Sequence, residues 1–513
     1  MLINFRAYIK NKFKNDFLAS IVVFLVAIPL CLGISIASGV PPALGLFSGI
    51  IGGIIVGYFS GCPLQVSGPA AGLITLVYEI VQKHGIENLG VIVLFAGLIQ
   101  ITLGFFKLGQ WFRAVPPSLV QGMLSGIGVL ILASQFHIMI DDLPRSNGLV
   151  NIYSIPQAIL KVVFPQDGYN HHLAGYIGLL TIVVIALWKF VPKSLSIIPA
   201  PLIGVLCGTL TTWLFKLDIK HVTIPENLLQ SIKLVNIDNF SYIFNFEAIL
   251  AAFALAFIAS TESLLSAIAV DKMTIGHKTN YNKEIISQGI GNIVSGILCS
   301  LPITGVIVRS SANVIAGAQT KASAIFHGVW ILIFCFSFPH VLAKIPIASL
   351  AAILVYTGWK LINLNAIKYL LKFGKGEVAI CLITIIAIVS TNLLEGILIG
   401  FAISSIRLLL MLSYLETEQK ENEHSSNSIS LYIKGSATFL NLPLLAEELE
   451  AIPPNKTIFI RFEGINYIDH ASLDLIANWK KQYVKSGGNV YVKWEELEAK
   501  VFNPKNLVNS IKQ

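Results

Sequence analysis

Long apolar runs follow one another through most of this chain. A helix needs about 20 residues to cross the hydrocarbon core of a bilayer, and fewer where it is broken. The runs predict fourteen membrane-spanning segments, near residues 16–38, 43–60, 66–82, 89–107, 115–136, 173–190, 198–216, 246–270, 284–300, 305–318, 322–342, 346–363, 377–391 and 393–413. Because this number is even, both ends of the apolar region are expected on the same side of the membrane.

Two of the apolar runs are interrupted by glycine and proline in the same way, far apart in the sequence. Gly52 and Pro63 in the first run correspond to Gly291 and Pro302 in the second at one constant offset. The segments then divide into two repeats of seven, and a repeat with an odd number of spans inserts its second copy upside down. We therefore predict an all-α 7+7 inverted-repeat fold in which two broken helices meet near the middle of the membrane.

Broken helices leave backbone N–H groups free, and their positive dipole ends attract anions. The residues expected to present these groups are Ser67 and Gly68 at the first break and Gly305, Val306 and Ile307 at the second. Glycine lets an ion approach the backbone closely. The alternative is that these glycines only allow helices to cross tightly, but the pairing of the breaks favours an anion site.

Glu262 lies inside an apolar segment, where a carboxylate is unfavourable unless it is paired or faces a wet cavity. Ser266 follows one helical turn later on the same face. An ionised Glu262 with the Ser266 hydroxyl suits Na⁺, whereas alternate protonation of Glu262 would carry H⁺. The alternative is a glutamate that only hydrogen-bonds neighbouring backbone. We interpret the pair as a coupling-ion site.

Arg309 follows the second break by one turn and adds a fixed positive charge to the dipole there. Direct contact with an anion, electrostatic support, an ion pair with Glu262 and a structural link between the two halves all fit the sequence. Glu79 and Glu395 lie near segment ends and are expected to be interfacial anchors rather than ligands.

The composition excludes several classes of function. The chain is 55% hydrophobic and only 12% charged, whereas soluble proteins carry about 25% charged residues. The net charge of +8 does not indicate nucleic-acid binding, because the basic residues are spread over loops and ends. The six cysteines show no metal-binding spacing, no pattern indicates an enzyme, and no cofactor is expected besides a coupling ion. The N-terminus is expected in the cytoplasm because of Arg6, Lys10, Lys12 and Lys14.

The apolar pattern ends after residue 413, so we assign residues 1–413 to the membrane domain. Residues 414–428 are polar and predict a linker. Residues 429–513 alternate between strand and helix patterns and predict a small α/β domain with a mostly parallel sheet. The loop from His137 to His172 is expected to be a solvated linker.

Three stretches resemble signatures of the SulP/SLC26 anion transporter family, and the likeness extends in order along nearly the whole chain. They begin at Gln65, Gln288 and Pro302 and read Gln-Val-Ser-Gly-Pro-Ala-Ala-Gly, Gln-Gly-Ile-Gly-Asn and Pro-Ile-Thr-Gly-Val-Ile-Val-Arg-Ser. The resemblance implies a uracil-permease-like fold, a homodimer in the inner membrane of the cell, and elevator-type movement. A core domain of spans 1–4 and 8–11 would move against a gate domain of spans 5–7 and 12–14.

The C-terminal region resembles the STAS domain of that family, which is cytoplasmic and implies a protein partner there. Related soluble proteins carry a phosphorylated serine where this chain has Ala471, so a phosphorylation switch is not expected. Asp469 is expected to cap the helix that follows.

The family carries sulfate, bicarbonate, chloride, oxalate or dicarboxylates between its third and tenth spans. By resemblance, the two breaks and Arg309 bind the substrate, and Glu262 and Ser266 couple the ion. Many members have a glutamine and an aromatic residue where this chain has Leu30 and Ile34, which we expect to line the pocket. The apolar pair resembles the bacterial Na⁺-dependent bicarbonate branch, although that branch has aspartate at the Glu262 position.

We therefore expect a secondary active transporter that takes up bicarbonate with Na⁺. A sulfate or dicarboxylate:H⁺ symporter of the same fold is the nearest alternative. An anion channel and a membrane-anchored STAS interaction module are alternatives of other classes.

Overall fold

The computed structural model describes residues 12–110, 116–145, 147–164, 170–192, 198–223, 233–274, 278–422 and 425–492. Arg6, Lys10 and the stretch 493–513 of the predicted C-terminal domain lie outside these residues. The chain divides into two compact units, the first ending at Gly400.

The first unit is built from helices. They are α1 (Phe13–Ala37), α2 (Pro42–Ile51), α3 (Ile74–His84), α4 (Ile86–Phe105), α5 (Pro117–Met139), α6 (Gly148–Val163), α7 (His171–Leu187), α8 (Ala200–Leu214), α9 (Phe246–Met273), α10 (Tyr281–Ile297), α11 (Ile307–Ile315), α12 (Ala322–Ser337), α13 (Ile347–Leu361), α14 (Leu364–Leu370) and α15 (Lys375–Ser390). A further helix, α16 (Leu393–Leu412), includes the boundary between the two units. A π-helical turn at Gly52–Val56 extends α2 to Phe59, and a 3₁₀ turn at Ala71–Leu73 precedes α3.

Each of the fourteen predicted segments overlaps one of these helices. In the part of the chain that the structure describes, eight helical stretches are long and apolar enough to cross a membrane. Large apolar side chains such as Phe105, Trp213 and Phe244 are exposed on helix surfaces or at their ends, as lipid-facing positions require. The helical, multi-pass membrane fold is confirmed, and the count of fourteen spans stays a prediction.

The two predicted breaks are joined by a short ladder. Strand β1 (Ser67–Gly68) pairs antiparallel with β2 (Thr304–Gly305), with Ser67 opposite Gly305 and Gly68 opposite Thr304. The two broken segments therefore pass each other in opposite chain directions. This is the relation that an inverted repeat predicts.

The helices of this unit pack in two groups. In one group, α10 lies along α4, and α1 packs against α2, α11 and α12. In the other, α5 packs against α13 and α15, and α7 packs against α8 and α13. α1 also contacts α13 and α8, so the groups meet along this helix.

The loop between His137 and His172 is not the solvated linker that we expected. It contains α6, which Asn147 caps by accepting a hydrogen bond from the backbone N–H of Val150 at 2.9 Å. The carboxylate of Asp142 ties this region together, because it accepts hydrogen bonds from Arg145 at 3.1 Å and from Lys161 at 2.9 Å. Apolar residues at helical spacing favour the helix despite Pro156 within it.

The second unit contains a four-stranded sheet. Its elements are β3 (Leu415–Asn422), β4 (Ser425–Ala437), α17 (Leu442–Glu450), β5 (Thr457–Ile468), α18 (His470–Lys485) and β6 (Asn489–Val492), with strand order β3-β4-β5-β6. The pairs β4–β5 and β5–β6 are parallel, as predicted. Asp469 caps α18 by accepting from the backbone N–H of Ser472 at 2.8 Å, which was also predicted.

The prediction of a polar linker at residues 414–428 is wrong. Residues 415–422 form β3 and pair antiparallel with β4, from Leu415 opposite Gly435 onward. Polar residues in alternation suit an edge strand that has one solvated face. The sheet therefore begins before residue 429.

Candidate anion site

The two broken segments present helix N-termini to one cleft. The helical backbone begins at Ala71 after the first break and at Ile307 after the second. The first N–H groups of a helix have no intrahelical partner, so the free donors lie at and after these two positions.

The free backbone N–H groups therefore lie further along the chain than the sequence predicts. The N–H of Gly305 is donated to Ser263 Oγ at 3.0 Å, and the N–H of Val306 to the Val66 carbonyl at 2.9 Å. Ser67 and Gly68 lie in the crossing strand rather than in the helix. Of the five residues predicted to present free backbone N–H groups, Ile307 is the one at which a helix begins.

The cleft lies where these helix ends face α5, α9 and α13, and it has a volume of about 580 Å³. Most of its wall is apolar, and its polar side chains are Glu262, Thr304 and Thr357. Its remaining lining residues are Ala70, Ala71, Gly72, Leu124, Ile127, Leu265, Gly305, Val306, Ile307, Val308 and Leu361. Glu262, Gly305, Val306 and Ile307 are thus brought together as predicted.

The Glu262 carboxylate lies against the first helix N-terminus. A Cβ added at Gly72 would stand 1.5 Å from Glu262 Oε1, so only glycine leaves room for the carboxylate in this position. Thr304 Oγ1 donates to Glu262 Oε2 at 3.4 Å. Ser266, one turn further along α9, is fully buried, and its hydroxyl has no hydrogen-bond partner among the residues that the structure describes.

Arg309 lies behind the crossing strands and not in the cleft wall. Its side chain is fully buried, and its Nη2 donates to the Pro69 carbonyl at 3.4 Å and to Cys31 Sγ at 3.3 Å. Its Nε and Nη1 have no partner in the described part of the chain. The ion pair with Glu262 that the sequence left open is not formed, and a full positive charge lies beside the first break.

Leu30 and Ile34 lie in the main apolar core. They are 6% and 3% exposed, and neither lines the cleft. Their role in the pocket wall stays a prediction.

Two polar residues that position the first break were missed as site residues. Glu284 is fully buried and accepts hydrogen bonds from Ser60 Oγ and from the backbone N–H groups of Gly61 and Cys62 at 2.8–2.9 Å. Gln288 Nε2 donates to Glu284 and to Ser67 Oγ, each at 2.8 Å. Glu284 is thereby linked to the crossing strand.

Asn292 plays the matching role at the second break. Its side chain accepts from the backbone N–H of Ile303 at 2.7 Å and donates to the carbonyl of the same residue at 3.1 Å. The spacing of Glu284, Gln288 and Asn292, four residues each, places them on one helix face. This four-residue spacing of polar residues is the feature of the sequence that could have identified them as site residues.

Gly52→Ala should strongly reduce the transport that the family resemblance implies, because a Cβ at this position would stand 2.5 Å from the Ser67 carbonyl oxygen and 2.8 Å from the Gly68 nitrogen. These atoms belong to the crossing strand, which cannot yield without losing its pairing. We expect the initial uptake rate per purified molecule to fall at least tenfold.

Gly57→Ala, in the same segment, is the matched control, because the nearest atoms to a Cβ there lie at 3.4–3.6 Å, an ordinary van der Waals distance. Uptake by Gly52→Ala at the rate of the unmodified protein would show that the crossing strand tolerates displacement.

Comparisons with known proteins identify the family and the fold. Residues 13–384 match the family model described as the Sulfate permease family. The chain is 27% identical to YvdB of Bacillus subtilis (strain 168), over 95% of this chain and 92% of that protein. It is 23% identical to the bicarbonate transporter BicA of Picosynechococcus sp., over 79% of this chain and 72% of that protein. It is also 23% identical to Sulfate transporter 1.2 of Arabidopsis thaliana, over 80% of this chain and 64% of that protein.

Two solved structures share the fold. The transmembrane domain of a cyanobacterial BicA superimposes with a TM-score of 0.63 at 22% identity, covering 77% of this chain and 97% of that one. SLC26A9 superimposes with a TM-score of 0.74 at 16% identity, covering 94% of this chain and 84% of that one. With the family match extending over most of the chain, this protein belongs to the sulfate permease family, the SulP/SLC26 anion transporters.

Proposed function

We propose that this protein is a secondary active transporter that takes up bicarbonate together with Na⁺. The observation that carries the proposal is that two helix N-termini face one cleft, with a buried arginine behind the crossing strands whose Nε and Nη1 have no partner among the described residues. Each helix end carries about half a positive charge. Together with Arg309, these charges favour an anion between Ala71 and Ile307.

The lining of the cleft favours a small anion with one charge. Among the described residues that line it, the uncharged side chains offer only the hydroxyls of Thr304 and Thr357 as donors, and the Thr304 hydroxyl already donates to Glu262. A doubly charged tetrahedral oxyanion requires many donors, and each hydrogen bond to a charged group that is not formed forfeits about 1.5–3 kcal/mol. Bicarbonate needs fewer donors than sulfate.

Glu262 is the proposed coupling residue. Na⁺ prefers oxygen ligands, as other hard cations do, and α9 offers the Glu262 carboxylate and the unpartnered Ser266 hydroxyl on one face. Thr304 adds a hydroxyl that already contacts the carboxylate. A cation here would neutralise the negative charge that otherwise repels the anion, so each ion would favour binding of the other.

The proposed movement is that of an elevator. The packing of α1–α4 with α9–α12 matches a core domain, and that of α5, α7, α8, α13 and α15 matches a gate domain. The cleft is lined by both groups, with Leu124 and Ile127 from α5 and Thr357 and Leu361 from α13. Sliding the core along this apolar wall would expose the anion to the other side of the membrane.

The remaining proposals concern the assembly. We propose that the protein is a homodimer in the inner membrane with both termini in the cytoplasm. The unit with the four-stranded sheet would be a STAS domain that binds a cytoplasmic protein partner.

The deciding experiment is uptake into proteoliposomes. We expect an imposed Na⁺ gradient to drive concentrative uptake of labelled bicarbonate, and labelled sulfate and fumarate to enter at less than a tenth of that rate. Na⁺-independent sulfate uptake driven by a proton gradient would favour the sulfate:H⁺ symporter, as the sulfate transporters among the relatives suggest. Uptake that never exceeds equilibrium with any gradient would favour a channel.

A further inference from the structure

A second cleft lies along the same two helices as the anion site, about one to two turns further on. The anion cleft contacts α3 through the turn before it and α5 at Leu124 and Ile127. The second cleft, of about 600 Å³, is lined by α3 at Thr75 and Glu79 and by α5 at Gln135. The sequence alone had suggested that Glu79 is an interfacial anchor.

The Glu79 carboxylate makes no direct ion pair among the described residues, and Lys83 and Glu395 act on it only through space. Glu79 is partly buried, and no hydrogen bond or ion pair joins it to a described residue. Arg145 also lines the cleft, but its guanidinium donates to Asp142 at 3.1 Å. Lys83, one turn beyond Glu79, is exposed. A partly buried carboxylate without a partner is unfavourable.

Two further polar groups beside Glu79 also lack hydrogen-bond partners within the described ranges. The Thr75 hydroxyl, one turn before Glu79 on the same helix face, is buried and makes no hydrogen bond to a described residue. Gln135, which is only 1% exposed, has an unpartnered amide nitrogen. Oxygen and nitrogen of this amide are interchangeable by a flip, so its oxygen can equally face the cleft.

A carboxylate, a hydroxyl and an amide oxygen around one cavity form a ligand set for a hard monovalent cation. We propose that Thr75, Glu79 and Gln135 form a second Na⁺ site, separate from Glu262 and closer to the C-terminal ends of α3 and α5. In the proposed topology this end faces outward, where Na⁺ would arrive. Because α3 belongs to the proposed core and α5 to the proposed gate, a bound cation would join the two groups.

The test measures binding without transport, so it does not depend on which anion is carried. Purified Glu262→Gln protein, which lacks the proposed coupling carboxylate, is titrated with ²²Na⁺ in lipid nanodiscs. We expect saturable binding that is lost in the double variant Glu79→Gln/Glu262→Gln. Thr75→Val in the same background should weaken binding several-fold, which provides a second reading if the Glu79 variant does not fold.

Glu87→Gln is the matched control, because Glu87 is exposed at the start of α4, close in sequence to Glu79. Binding in Glu87→Gln/Glu262→Gln should equal that of Glu262→Gln. If Glu262→Gln binds no ²²Na⁺, or if neither Glu79→Gln nor Thr75→Val alters its binding, the second site does not exist. Failure of bicarbonate uptake with this binding intact would overturn the proposed substrate and leave the site standing.

Discussion

Glu262→Gln should abolish concentrative uptake while the protein remains folded. The change removes the charge that the proposed coupling ion neutralises but keeps the shape that fits against Gly72. The amide can still accept a hydrogen bond from Thr304, so the cleft should survive. The measurement is Na⁺-driven bicarbonate accumulation in proteoliposomes, which we expect to fall to the level of empty vesicles.

Glu87→Gln is the control for this result too. Glu87 is an exposed carboxylate in the first turn of α4, so its neutralisation should leave accumulation unchanged. Counterflow, the exchange of labelled for unlabelled anion without a gradient, separates coupling from anion binding. Full gradient-driven accumulation by Glu262→Gln would exclude Glu262 as the coupling residue.

Arg309→Met should weaken anion binding about ten- to a hundredfold, equivalent to roughly 1.4–2.7 kcal/mol. The arginine is fully buried and has two unpartnered nitrogens, so its charge acts across a medium of low polarity. Methionine fills similar space without charge. Replacing an unpaired buried charge with an apolar side chain also removes a desolvation penalty, and we therefore expect normal amounts of folded protein.

Arg309→Lys distinguishes charge from shape, because lysine keeps the charge but loses the planar donor geometry. We expect its apparent bicarbonate affinity to lie between those of the unmodified protein and Arg309→Met. Equal affinities in all three proteins would assign Arg309 a structural role, namely its hydrogen bonds to Cys31 and Pro69.

The sequence predicted that the two broken segments meet, but not which residues of the two segments pair with each other. Matched glycines and prolines reveal where a helix must stop, since they act on the backbone locally. Which N–H groups stay free depends on long-range partners, such as the Val66 carbonyl that engages Val306 and the Ser263 hydroxyl that engages Gly305. No pattern within either segment encodes those partners.

The same limit explains the other differences. Glu284 resembles an ordinary first-turn carboxylate until the fold brings residues 60–62 onto it. The polar residues of β3 predict a linker, because they form a strand only by pairing with β4. Leu30 and Ile34 were placed by resemblance, whereas their contacts depend on how α1 packs within the core.

The ladder between Ser67–Gly68 and Thr304–Gly305 ties the two halves of the anion site into one piece. Under the proposed mechanism, the two helix ends and Arg309 would travel together and keep their mutual distances. The intrinsic dissociation constant for the anion should then be nearly equal at the two faces of the membrane. A site of constant affinity cannot by itself act as a pump, so the whole concentration ratio would be set by the electrochemical potential of the co-transported cation.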